Sequence, residues 1–108
     1  MEPLTVGDVV LVPFPFSDLS QYRFRPAIIF ASVPHNDWIL SQVTSNPYGD
    51  PHAVQIVNED FSTGSLKITS FARPGKISTA NHQLISRRVG ALKRVDILKR
   101  STMEGRSE

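Results

Sequence analysis

The sequence predicts a mainly β domain, a small barrel with a C-terminal helix. Three observations carry that expectation. Eight prolines, at positions 3, 13, 15, 26, 34, 47, 51 and 74, punctuate short apolar runs. Proline cannot donate to a sheet ladder and fits badly inside a helix, so runs divided this way read as strands. Helical periodicity enters only after position 80. The third observation is length: 108 residues suffice for one core and leave no room for a second.

The first strand is 8–12, continuously apolar after Asp8, as a strand covered on both faces should be. Residues 17–24 read as a polar loop, and 26–31 as a second, almost wholly apolar strand. His35-Asn36-Asp37 is a turn, followed by a third strand over 38–44. Its alternation sets Ile39, Ser41 and Val43 on one face and Trp38, Leu40, Gln42 and Thr44 on the other. Residues 46–51, rich in Asn, Pro, Gly and Asp, form a loop. A fourth strand spans 53–57, a turn 59–64 and a fifth strand 66–72, with a short extension at 76–78 beyond Pro74-Gly75. Residues 81–85 suit one helical turn. In 91–100, Ala91, Val95 and Leu98 share a helix face, which predicts the terminal helix. Residues 101–108 read as a frayed tail around a core of about 6–100. Five or six strands and one helix in this length suggest a single SH3-like barrel domain.

The charge is uneven. Residues 1–60 hold two basic and seven acidic side chains, a net of −5, and residues 61–108 hold ten basic and three acidic, a net of +7. A basic half suits an anionic partner, although a solvated surface has the same composition. There is no cysteine, hence neither a disulfide framework nor a thiolate metal cluster. The longest apolar stretch, 9–16, is short and interrupted by Pro13 and Pro15, and the first basic residue is Arg23. Neither a membrane span nor a secretory signal is indicated, so a cytoplasmic location is expected.

No phosphate-binding glycine loop, dinucleotide fingerprint or His-rich metal spacing occurs. His35, His52 and His82 are isolated in turn-like contexts, no serine lies in a G-x-S-x-G elbow, and the carboxylates form no ligand pattern. Neither metal nor cofactor is expected. What remains is a set of Arg, Thr and Ser residues at strand ends. Arg23 and Arg25 flank Phe24 just before the second strand, and Pro26 biases Arg25 towards extended backbone. A guanidinium donates two parallel hydrogen bonds to a phosphate and keeps its charge. Thr44 and Ser45 close the third strand, with hydroxyls suited to a phosphoryl oxygen or a 2′-hydroxyl. Singly, such residues are more often a solvated arginine and a turn hydrogen bond.

In order along the chain, five segments resemble the MazF/PemK family of toxin endoribonucleases. Gly7-Asp8-Val9-Val10-Leu11-Val12-Pro13-Phe14 is similar to the family's G-D-[IV]-[VIW]-x-[VA]-x-F start, and Arg25-Pro26-Ala27-Ile28-Ile29 to its R-P-A-[LVI]-[VI] strand. Gln42-Val43-Thr44-Ser45 resembles P-[IVL]-T-[ST], with Gln42 for Pro. Residues 66–76 look like a strand leading into a basic stretch, and Ser86-Arg87-Arg88-Val89-Gly90-Ala91-Leu92 resembles the family's [KR]-x-[IVL]-G-x-L signature before the last helix. Two departures stand out. The family's S-G-S-[KR]-R-R-P loop is Ser20-Gln21-Tyr22-Arg23-Phe24-Arg25-Pro26 here, and Lys93 and Arg94 replace acidic residues.

The resemblance implies an SH3-like barrel of the MazF/PemK/CcdB type, a homodimer, an antitoxin partner and sequence-selective cleavage of single-stranded RNA without metal. It assigns catalysis to Arg25 and Thr44; RNA contacts are expected at Arg23, Phe24, Ser45, Arg73, Lys76 and Arg87. The implied reaction is attack by the RNA's own 2′-hydroxyl, leaving a 2′,3′-cyclic phosphate and a 5′-hydroxyl. Phe24 is either a stacking face for a base or a side chain packed on the barrel. Two other functions suit the same barrel. One is a toxin that binds a protein such as gyrase. The other is a non-catalytic RNA binder held by Arg73, Lys76, Arg87 and Arg88.

Overall fold

The computed structural model describes residues 3–15, 22–47 and 49–94. Among them, seven strands form one antiparallel sheet: β1 Asp8–Pro15, β2 Tyr22–Val33, β3 Asp37–Thr44, β4 Val54–Ile56, β5 Phe61–Gly64, β6 Ser70–Asn81 and β7 Arg87–Leu92. Their order is β4-β6-β3-β2-β1-β7-β5, and the sheet curls into a half-barrel. Short 3-10 turns occupy Asn58–Asp60 and His82–Leu84.

Apolar side chains on both faces explain the continuous apolar runs of β1 and β2. Val10, Val12, Ala27, Ile29 and Leu40 pack with Leu4 and Ile85 on one face. Val9, Ile28, Val43, Ile56, Phe61 and Ala72 pack together on the other. Burying each large aliphatic contributes about 1.5–3 kcal/mol, so the three central strands hold much of the stability. The alternation expected in β3 is present, with Leu40 in the first cluster and Val43 in the second.

Several elements differ from the sequence expectation. Residues 22–24 belong to β2 and not to a loop. The expected turn at 59–64 is a 3-10 turn followed by β5. The fifth strand and its extension are one strand, β6, which begins at Ser70. Ser41 pairs with Ile77 and Gln42 with Arg73, so Pro74, Gly75 and Lys76 bulge out of the ladder. A bulge needs no ladder donor, which is how this strand accommodates a proline.

The largest correction concerns the terminal helix. Ala91 and Leu92, its expected first residues, finish β7, and residues 95–108 lie outside the described residues. Pairing overrides the helical periodicity there: β7 has β1 on one side and β5 on the other. Glycine permits the approach. Gly64 and Gly90 are register partners, and a Cβ on Gly90 would stand 2.8 Å from both Phe61 Cδ2 and the Thr63 carbonyl. At the same end, Gly7 takes φ 96° and Asp8 is 1% exposed. The Asp8 Oδ2 atom accepts from the Thr5 N–H at 2.9 Å and from Arg88 Nη1 at 3.4 Å, tying β1 to β7.

Candidate functional site

The β2–β3 register brings the two catalytic candidates together. Ala27 pairs with Gln42. Arg25 and Thr44 lie two residues beyond this last ladder pair on the neighbouring strands, and both line one groove. Arg25 also pairs with Val12 of β1, so it occupies the middle of the sheet near its open end.

An open groove of about 370 Å³ runs over this end, lined by Arg23, Phe24, Arg25, Thr44 and Ser45, with Leu66 and Ile68 from the segment before β6. Arg25 is half-buried, and Arg23 and Ser45 are exposed. Among the described residues no carboxylate makes an ion pair with Arg25. Thr44 is 8% exposed, and its Oγ1 accepts the Asn46 N–H at 3.1 Å. A hydroxyl oriented by accepting one N–H keeps its own proton to donate.

Phe24 is 55% exposed. It lines the groove and is not part of either core cluster. Sequence reasoning missed Leu66 and Ile68. Ile68 is 62% exposed at the groove, whereas the sequence reading placed it only within a strand over 66–72. Its segment turns at Lys67, φ 71°. It is held by Ser65, whose hydroxyl donates to Asn58 Oδ1 at 2.6 Å and accepts the Lys67 N–H at 2.8 Å. No local sequence pattern announces that turn.

The other expected contacts lie apart from the groove. Arg73 and Lys76 line a second depression of about 250 Å³ with Gln42, Ile77 and Ser78. Arg73 Nε donates to Asp50 Oδ2 at 2.9 Å, with the two side chains 16% and 12% exposed. The His52 backbone N–H and then the Arg73 guanidinium hold the Asp50 carboxyl below its ordinary value of 3.8. Arg87 is exposed on β7 opposite Leu11, a residue that lines the first groove. None of the three histidines lines that groove. His52 is in the loop after β3, His35 takes φ 69° in the β2–β3 turn, and His82 Nδ1 accepts Trp38 Nε1 at 3.4 Å. Among the described residues no three His, Cys, Asp or Glu side chains gather as a metal site would require, and no helix is long and apolar enough to cross a membrane.

Chemically, the groove offers two guanidiniums, the hydroxyls of Thr44, Ser45 and Ser70, and an aromatic side chain. That set suits a phosphodiester flanked by bases. The chain matches no protein-family model and no curated protein. It does match solved structures along nearly its whole length. A chain of an endoribonuclease in complex with its cognate antitoxin, from a mycobacterial species, is 15% identical at TM-score 0.65, covering 99% of this chain and 92% of that one. A chain of the MazE–MazF complex (form II) of Deinococcus radiodurans is 16% identical at TM-score 0.68, covering 94% and 90%. Form III of that complex gives 14% identity and TM-score 0.65, covering 94% and 91%. At such identities the likeness establishes a shared fold.

Proposed function

We propose that the chain is a toxin endoribonuclease that cuts single-stranded RNA and is held in check by an antitoxin protein. The observation that carries the reading is that Arg25 and Thr44, from the adjoining strands β2 and β3, line one groove with Arg23, Phe24 and Ser45. The fold shared with an endoribonuclease–antitoxin complex and with MazE–MazF supports it. A homodimer, a cytoplasmic setting and sequence-selective cleavage belong to the same reading.

The chemistry follows from what the groove holds. The 2′-hydroxyl of the RNA attacks the adjacent phosphorus. The P–O5′ bond breaks, the 2′-proton leaves to solvent and the 5′-oxygen takes up a proton. The products are a 2′,3′-cyclic phosphate and a 5′-hydroxyl, with no water consumed. Negative charge grows on the phosphoryl oxygens, and Arg25 is the cation set to meet it. A guanidinium holds its protons too tightly to act as a base, so charge stabilisation is its role. Thr44 donates its proton to a phosphoryl oxygen while the Asn46 N–H fixes its oxygen. Arg23 and Ser45 grip neighbouring phosphates, and Phe24 stacks a base. DNA lacks the 2′-hydroxyl and is not cut.

The test is incubation of the purified protein with single-stranded RNA in EDTA, followed by analysis of the ends. Cyclic phosphate and 5′-hydroxyl ends are expected, and a matched DNA remains whole. An RNA complex without cleavage would replace the reading by the non-catalytic binder. Neither complex nor cleavage would point to a protein target.

A further inference from the structure

Arg73 is assigned to RNA by sequence pattern, but its surroundings give it another task. We infer that Arg73 is a positioning residue: through Asp50 it holds the loop after β3 and so aims the Thr44 hydroxyl. The kinetic part of this inference rests on the groove being an RNA-cleaving site; the structural part does not.

The bonds form a continuous chain. Arg73 sits on β6 directly opposite Gln42, two residues before Thr44 on β3. Its carbonyl accepts the Ser41 hydroxyl at 2.9 Å, and its Nη1 donates to Gln42 Oε1 at 3.3 Å. From there Nε reaches Asp50 at 2.9 Å. Asp50 is bonded at every polar group. Its Oδ1 accepts the His52 N–H at 2.9 Å, its own N–H donates to the Pro47 carbonyl at 2.9 Å, and its carbonyl accepts the Ala53 N–H at 3.2 Å. The loop so held begins with Asn46, whose N–H fixes Thr44 Oγ1.

Two physical arguments favour this role over a phosphate contact. A mostly buried guanidinium already bonded to a carboxylate would have to break that pair to bind RNA, leaving a carboxylate without its cation. Catalysis by oriented donors is also steep in position. A misplacement of about 1 Å costs about a hundredfold, so a residue that fixes the donor is felt in kcat without touching substrate.

The test uses the full chain with Arg73→Ala, Asp50→Ala, the double variant and Arg73→Lys. Kinetics of single-stranded RNA cleavage are paired with amide hydrogen exchange at Asn46. Each single variant is expected to lower kcat about 10- to 100-fold with KM within about twofold, and the double to be no worse than either single. Asn46 should exchange faster in all three, and Arg73→Lys should recover part of kcat. The opposite pattern overturns the inference. In it, Arg73→Ala raises KM and lowers the salt dependence of RNA binding by about one counterion. It also adds to Asp50→Ala and leaves Asn46 exchange unchanged. Should the wild-type chain fail to cut RNA, the functional reading falls and Asn46 exchange alone decides. Where an alanine variant lacks a cooperative melt, Asp50→Asn replaces it, since Asn retains an acceptor for His52 and loses the charge facing Arg73.

Discussion

Arg25 and Arg73 are both partly buried arginines on strands beside β3, yet they meet different neighbours. Arg73 has a carboxylate 2.9 Å from Nε, so its charge is matched within the fold. Arg25 has no such ion pair among the described residues, and it stands over a groove whose opposite strand ends in two hydroxyls. A matched cation holds structure, and an unmatched one is ready for an incoming anion. Residue type and strand-end position, which the two arginines share in sequence, do not separate these roles. Their acidic neighbourhood does.

The sharpest way to break the comparison is to remove each charge in turn. Arg25→Ala is expected to lower kcat for RNA cleavage by about two to three decades, the usual loss for one donor aimed at developing charge. Its melting temperature should match wild type, whereas Arg73→Ala should melt lower. Cleavage at the normal rate by Arg25→Ala would remove it from the mechanism. Thr44→Val comes next, with a loss of about one to two decades, because it deletes the O–H at nearly constant volume. It also leaves the Asn46 N–H without its acceptor, so a thermal melt should show a modest drop. Thr44→Ser keeps the hydroxyl and should retain most of the rate. Phe24→Ala is smaller again. Loss of one stacked base costs about 1–3 kcal/mol in RNA binding, and Phe24→Trp should preserve it. Unchanged RNA affinity in Phe24→Ala would mean that no base rests there.

Much of this groove was legible in the sequence because it is built from ladder positions. Arg25 and Thr44 were picked out by their places at strand ends and by the resemblance, and the fold sets both on the lining of one groove. Segments governed by tertiary pairing were less legible. Ala91 and Leu92 were read with the helix, and pairing with β1 and with β5, whose approach Gly90 permits, makes them strand. The place of Ile68 at the groove was not legible either, because the expected strand over 66–72 says nothing of a turn at Lys67. The role of Arg73 was hidden for another reason: its partner Asp50 is 23 residues away, in a loop that sequence patterns describe only as turn-rich.

The smallest expected effect tests the matched side of the comparison. The folded state favours ionised Asp50, first through the His52 N–H and then through Arg73, so its folded pKa lies below the ordinary 3.8. A carboxyl whose pKa falls on folding stabilises the fold fully above its unfolded value, and the contribution disappears as pH drops through the folded value. The unfolding midpoint of wild type minus that of Asp50→Asn should therefore be constant from about pH 7 to pH 5 and shrink below about pH 4. High salt should reduce the Arg73 part of the difference more than the part due to the backbone bond, since screening acts on the charge pair. A difference that stays flat down to pH 3 would mean that Asp50 carries no charge-dependent share of stability, and the contrast between the two arginines would then rest on geometry alone.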